Sequence, residues 1–114
     1  MRLLAAVALG FLLCAAPLRA GTAKECTDLA ARIDNDVSSP SGVRVSVTAR
    51  NHCQEDVDGS EVAFKVKALG GGGNPIASQY GSFGSSIRPG ATAETKVFVV
   101  CDPERVRSVT VEPQ

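Results

Sequence analysis

The chain has 114 residues with twelve basic and twelve acidic side chains, so its formal charge balances and no basic excess exists to attract nucleic acid. It carries one histidine, and no G-x-S-x-G, H-E-x-x-H or phosphate-loop motif occurs, which excludes the commonest hydrolytic and nucleotide-using machineries; no enzyme is expected. The length predicts a single domain.

Residues 1–20 (M-R-L-L-A-A-V-A-L-G-F-L-L-C-A-A-P-L-R-A) combine a basic start, an apolar run from Leu3 to Ala16 and a small-residue end. This pattern predicts a cleavable signal peptide rather than a retained anchor, because the apolar run is short for a bilayer and is closed by Pro17 and Arg19. Cleavage is expected after Ala20 or Ala23. Cys14 follows Leu13, which does not suit lipid attachment. The mature chain is therefore expected to be periplasmic or secreted, off the membrane, with an envelope component or another protein as its partner. Losing Arg2 and Arg19 leaves ten basic against twelve acidic groups, a net charge of −2. Without tryptophan, and with only Phe64, Phe83, Phe98 and Tyr80 as aromatics, the mature core must be built mainly from valine, which favours sheet.

Residues 21–28 read as a mobile lead-in to a domain over 29–114. From Asp28 to Val37 helical and alternating spacings compete. The turn-forming run Asp36 to Gly42 (D-V-S-S-P-S-G) favours a strand at Leu29 to Asp34, folded back as a hairpin on the strand that begins at Val43. Val43 to Cys53 (V-R-V-S-V-T-A-R-N-H-C) is the clearest strand: Val43, Val45, Val47 and Ala49 share one face, and Arg44, Ser46, Thr48 and Arg50 the other. An acidic turn at Gln54 to Ser60 precedes a second alternating run, Glu61 to Leu69. Four glycines and a proline make Gly70 to Pro75 a loop tip. Short strands are expected at Ile76 to Tyr80 and Ser82 to Ile87, then a turn at Arg88-Pro89-Gly90. Thr95 to Cys101 is apolar on both faces and reads as a central, doubly covered strand. Val106 to Glu112 closes the chain, with Val109 and Val111 inward.

Six or seven short strands between turn signals predict an all-β domain, an immunoglobulin-like antiparallel β-sandwich, with a Greek-key barrel as competitor. The layout Val62 to Leu69, Gly73-Asn74-Pro75-Ile76, Ser82-Phe83, Ile87-Arg88-Pro89-Gly90 and a closing valine strand resembles the FxLYD-type immunoglobulin-like modules of exported bacterial proteins, with Leu69-Gly70 where that family has Tyr-Asp. The resemblance covers residues 43 to 112 and implies a non-enzymatic surface or periplasmic piece.

Export leaves three cysteines, Cys26, Cys53 and Cys101, an odd number in an oxidising compartment. If strands 43–51 and 95–101 lie in opposite sheets and run the same way, Cys53 and Cys101 reach one pole on inward parities. They are the first choice for a disulfide. Cys26 is then free, or links two chains in a covalent dimer. Cys26–Cys53 is the rival pairing, because an antiparallel first strand brings Cys26 to the same pole; Cys26–Cys101 is the third. No cofactor or metal is expected. An alternative reading is a metal- or thiol-handling protein using Cys26, His52, Cys53 and Cys101, although adjacent His52 and Cys53 on a strand face opposite ways. A further alternative is a small secreted inhibitor that presents the tip around Gly72 and Asn74 and the loop around Phe83. Phe83 also suits a core plug. Asp34-Asn35-Asp36 and Asp56-Val57-Asp58-Gly59 lack calcium-loop spacing and read as solvated turns. Arg44, Arg50, Lys65 and Lys67 are candidates for a small basic patch.

Overall fold

A computed structural model describes residues 23–34 and 39–114. The expected signal peptide and the first three residues of the Asp36 to Gly42 turn lie outside those residues. The described part is one helical turn, α1 (Ala23–Cys26), and six strands: β1 (Thr27–Ile33), β2 (Gly42–Asn51), β3 (Phe64–Leu69), β4 (Pro75–Gly81), β5 (Thr92–Val100) and β6 (Ser108–Pro113). They form two antiparallel three-stranded sheets, β1-β2-β5 and β4-β3-β6. All-β architecture is therefore observed. No described helix is long and apolar enough to cross a membrane.

Alternation decides which faces meet. Val45, Val47 and Ala49 of β2 and Phe64, Val66 and Ala68 of β3 are fully buried and belong to one core shared by the two sheets. The ambiguous first stretch is a strand, paired with β2 from Thr27 opposite Asn51 to Ile33 opposite Val45, so the expected hairpin is present. β3 and β6 pair with Val66 opposite Val111 and Ala68 opposite Val109, which turns both closing valines toward the core.

Three expectations are corrected. Residues 23–28 are part of the fold: Ala23 and Cys26 are buried, and Thr27 starts β1. Ser82 to Ile87 is not a strand. Phe83 and Ile87 are buried as a strand would bury them, but the ladder contact there is an isolated bridge between Ile87 and Val57. Gly84 and three serines supply little side chain for a pleated surface to pack. Finally, β5 is not central. It closes one end of its sheet beside β2, with Val99 buried while Phe98 and Val100 are 37% and 72% exposed. Among the described residues no second layer covers its other apolar face.

The bends between strands are specified by side chains. Asp58 Oδ1 accepts from the Ser60 N–H at 3.0 Å and from its hydroxyl at 2.8 Å, capping a 3₁₀ turn at Gly59–Glu61; these bonds hold the Asp58 carboxyl below its ordinary range. Asp102 caps a second such turn, Pro103–Arg105, in the same way. Arg88-Pro89-Gly90-Ala91 closes with an Ala91 N–H to Arg88 carbonyl bond of 2.9 Å, and Gly90 sits at φ +79°, the left-handed position a type II turn requires. Gly59 is needed for close approach: a Cβ there would stand 2.1 Å from the Ser85 carbonyl oxygen. Gly59→Ala is expected to cost about 1–3 kcal/mol in equilibrium unfolding, the usual range for forcing atoms into a packed site.

Candidate functional site

The alternating strand directions place two groups of loops at opposite poles. At one, the β2–β3 and β4–β5 connections meet the start of β1; at the other lie the β1–β2 turn, the glycine tip and the β5–β6 connection. Most chemistry-bearing side chains gather at the first. Because β1 runs antiparallel to β2, the residue before Thr27 comes level with the residues after Asn51, and Cys26 is bonded to Cys53 with Cα atoms 5.2 Å apart. The expected Cys53–Cys101 pairing is thereby corrected, and so is the assignment of Cys26 as the spare or intermolecular thiol.

The reason lies in sheet assignment. β2 and β5 are hydrogen-bonded neighbours in one sheet, with Gly42 opposite Val100 and Arg50 opposite Thr92. Their carboxyl ends point opposite ways, which separates Cys101 from Cys53 by roughly 30 Å of strand. Cys101 lies instead beside the β1–β2 turn, its N–H donating to the Ser41 carbonyl at 3.1 Å. It is the free cysteine of the described residues, half-buried, with its Sγ 3.5 Å from the Val99 carbonyl oxygen. Burial pushes its thiol up. A protonated thiol is a poor nucleophile, so iodoacetamide near neutral pH is expected to alkylate folded Cys101 roughly threefold or more slowly than the unfolded chain, as followed by intact mass.

Asn51 is the organising residue of the disulfide pole. It occupies an inward position, where the alternation of β2 demands an apolar residue, and it is fully buried. Its Nδ2 donates to the carbonyls of Glu55 and Ile87, both at 2.8 Å, and its Oδ1 accepts from the Cys53 N–H at 2.9 Å. The Asn51 backbone bonds Ala91 and Gly90, at 3.0 and 2.8 Å. One side chain thus ties the loops on both sides of the pole to the end of β2. Sequence reading passed over it, although a polar residue interrupting an apolar face was the available signal. Asn51→Leu strands two carbonyls and an amide and is expected to cost about 2–4 kcal/mol in denaturant unfolding.

His52, next along, faces outward. Its Nε2 donates to the Glu25 carbonyl at 2.9 Å, its Nδ1 lies 3.1 Å from Asp28 Oδ2, and its backbone N–H donates to the Cys26 carbonyl at 2.9 Å. The hydrogen bond to Asp28 raises its pKa above the ordinary 6.5; desolvation opposes this, while the Asp28 charge and the Glu25 carbonyl add to it. The donors weighed for a metal are thus apart: two sulfurs are bonded to each other, the ring faces α1 and β1, and Cys101 is at the far pole. No group of three His, Cys, Asp or Glu suited to a metal ion occurs among the described residues.

The remaining candidates separate likewise. Phe83 is 3% exposed and meets Phe64 edge-on, with ring centroids 5.5 Å apart, so it is a core plug beyond a partner's reach. Gly72 and Asn74 are exposed at the glycine tip, which is closed by a Gly70 N–H to Asn74 carbonyl bond of 2.8 Å. The four basic residues do not form one patch. Arg44 and Arg50 lie on the β1-β2-β5 sheet and Lys65 and Lys67 on the other. Lys67 pairs with Glu112 at 2.8 Å and holds that carboxyl below its ordinary range, while Lys65 stands 5.5 Å from the Tyr80 ring centroid. On the first sheet the buried Asp34 pairs with Lys96 at 2.8 Å, and Ser46 donates to Glu94, which also meets Arg32 at 3.7 Å. The Nε of Arg44 is the one buried side-chain polar atom with no hydrogen bond among the described residues.

In comparison with known proteins, no family model matches the chain, and no curated protein or solved structure gives a match.

Proposed function

We propose that this protein is an exported, non-enzymatic binding or structural accessory module, an immunoglobulin-like sandwich acting in the periplasm or outside the cell. The observation that carries the proposal is the use made of its polar side chains at the disulfide pole. Asn51, His52, Cys26 and Cys53 all bond to one another's segments and to loop backbone, so the residues best suited to chemistry hold the fold together. The strand order supports the sandwich reading. First, second and fifth strands in one sheet, with third and sixth paired in the other, match strands A, B and E against C and F of immunoglobulin-like domains. An intrachain disulfide supports an oxidising compartment.

The test is intact mass of the protein recovered from the exported fraction, alkylated without reductant, with peptide mapping of the cross-linked cysteines. The expected product is a monomer lacking residues 1–20 or 1–23, with one Cys26–Cys53 bond and one alkylated thiol at Cys101. A retained leader, three alkylated thiols or a bound metal ion would move the function to another class.

A further inference from the structure

We propose that residues 25–28 and 52–53 form a latch on the start of the fold, fastened once by the Cys26–Cys53 disulfide and once by His52 held as an imidazolium, which loosens when the bond is reduced and the ring is neutral.

The need for a latch follows from length. α1 is a single turn of four residues, far below what an isolated helix requires, and only Ala23 and Cys26 of it are buried. The Thr27 hydroxyl donates to the Ala23 carbonyl at 2.7 Å, and residues 52 and 53 fasten the turn through the His52 ring and N–H and the Cys53 sulfur.

The proton dependence follows from donor and acceptor types. Both ring nitrogens of His52 face groups that can only accept, the Glu25 carbonyl and the Asp28 carboxylate. A neutral imidazole owns one N–H and satisfies one of them; the cation satisfies both. The charged side chains that act on the ring are Asp28 on β1 and Arg50, which lies opposite Asp28 on β2; Glu25 of α1 meets it through its backbone carbonyl. Asp28 favours the cation and Arg50 opposes it. Because the folded pKa is raised, the ring's contribution is complete below about 6.5, the unfolded value, and is lost as pH rises through the folded value.

The redox half balances with a dithiol reductant. It supplies two electrons and two protons, the S–S bond breaks, Cys26 and Cys53 become thiols, and the reductant closes to its own disulfide. Either fastening alone keeps α1 against the 3₁₀ turn at Gly59–Glu61; losing both frees the segment.

Hydrogen exchange of peptides covering residues 24–28 in the mature chain tests this, read as protection relative to an unstructured peptide near pH 5 and near pH 8. With the disulfide intact, protection is expected to be equal at the two pH values. After reduction it is expected to fall about threefold or more from the lower to the higher pH, as for losing an exposed charged pair, and His52→Gln is expected to remove that fall. Equal protection at both pH values in the reduced protein, or an unchanged fall in His52→Gln, overturns the proposal. Reduction could unfold the whole domain, so the His52 ring is also titrated by NMR in the oxidised chain. Asp28→Asn is expected to lower its midpoint, and an unmoved midpoint overturns the proposal equally.

Discussion

Replacing Cys26 and Cys53 together by serine is expected to lower the unfolding free energy by about 3.5 kcal/mol. The bond joins residues 27 apart in sequence, and restricting a loop of that size in the unfolded chain is worth roughly that much in the chain-entropy account. Against the roughly 5–15 kcal/mol typical of a whole domain, the loss is large. A core of valines, with few aromatics, has little to set against it. The matching control is Cys101→Ser, expected to stay within about 0.5 kcal/mol of the parent because no cross-link is lost. Urea unfolding of the two variants separates the pairings directly. Were Cys53 joined to Cys101, the control would be the damaging change and Cys26→Ser the harmless one.

Phe64→Ala is expected to cost about 3–5 kcal/mol, the range for deleting a buried aromatic ring. Phe64 is fully buried in β3, the central strand of its sheet, and its ring meets Phe83 edge-on. Phe83 is in turn fastened to the first 3₁₀ turn by its N–H donating to the Gly59 carbonyl at 3.1 Å. Truncation therefore leaves a cavity and also removes the surface against which the 82–86 loop is seated. Phe64→Leu keeps most of the volume and is expected to lose less than half as much. A Phe64→Ala midpoint equal to that of Phe64→Leu would mean that the loop collapses into the space without cost, and the seating role of the ring would be wrong.

The part of this fold legible in the chain is the part that local chemistry dictates. Period-two alternation in 43–51 and 61–69 assigns each residue to a face, whatever the neighbouring strand is; β2 and β3 bury Val45, Val47, Ala49, Phe64, Val66 and Ala68 as assigned, while Ser46 of the opposite face is buried as well. Glycine, proline and aspartate marked the bends for equally local reasons: Gly90 adopts a positive φ, and Asp58 and Asp102 cap turns with their own carboxylates. The hairpin of β1 on β2 was within reach because only a short turn separates them.

Beyond that hairpin, which strands become neighbours was settled by tertiary structure alone. A strand apolar on both faces satisfies the requirements of a central position, and nothing local in Thr95 to Val100 says that β5 will instead end its sheet with Phe98 and Val100 in the open. Pairing β5 with β2 across more than forty residues is a choice among edges, made by the core the two sheets share. The cysteine connectivity follows from that choice, since antiparallel neighbours carry Cys53 and Cys101 to opposite ends. Asn51 and His52 gained their roles in the same way. A side chain can bond only what the fold brings beside it, and Ile87, Glu25 and Asp28 arrive there from other parts of the chain.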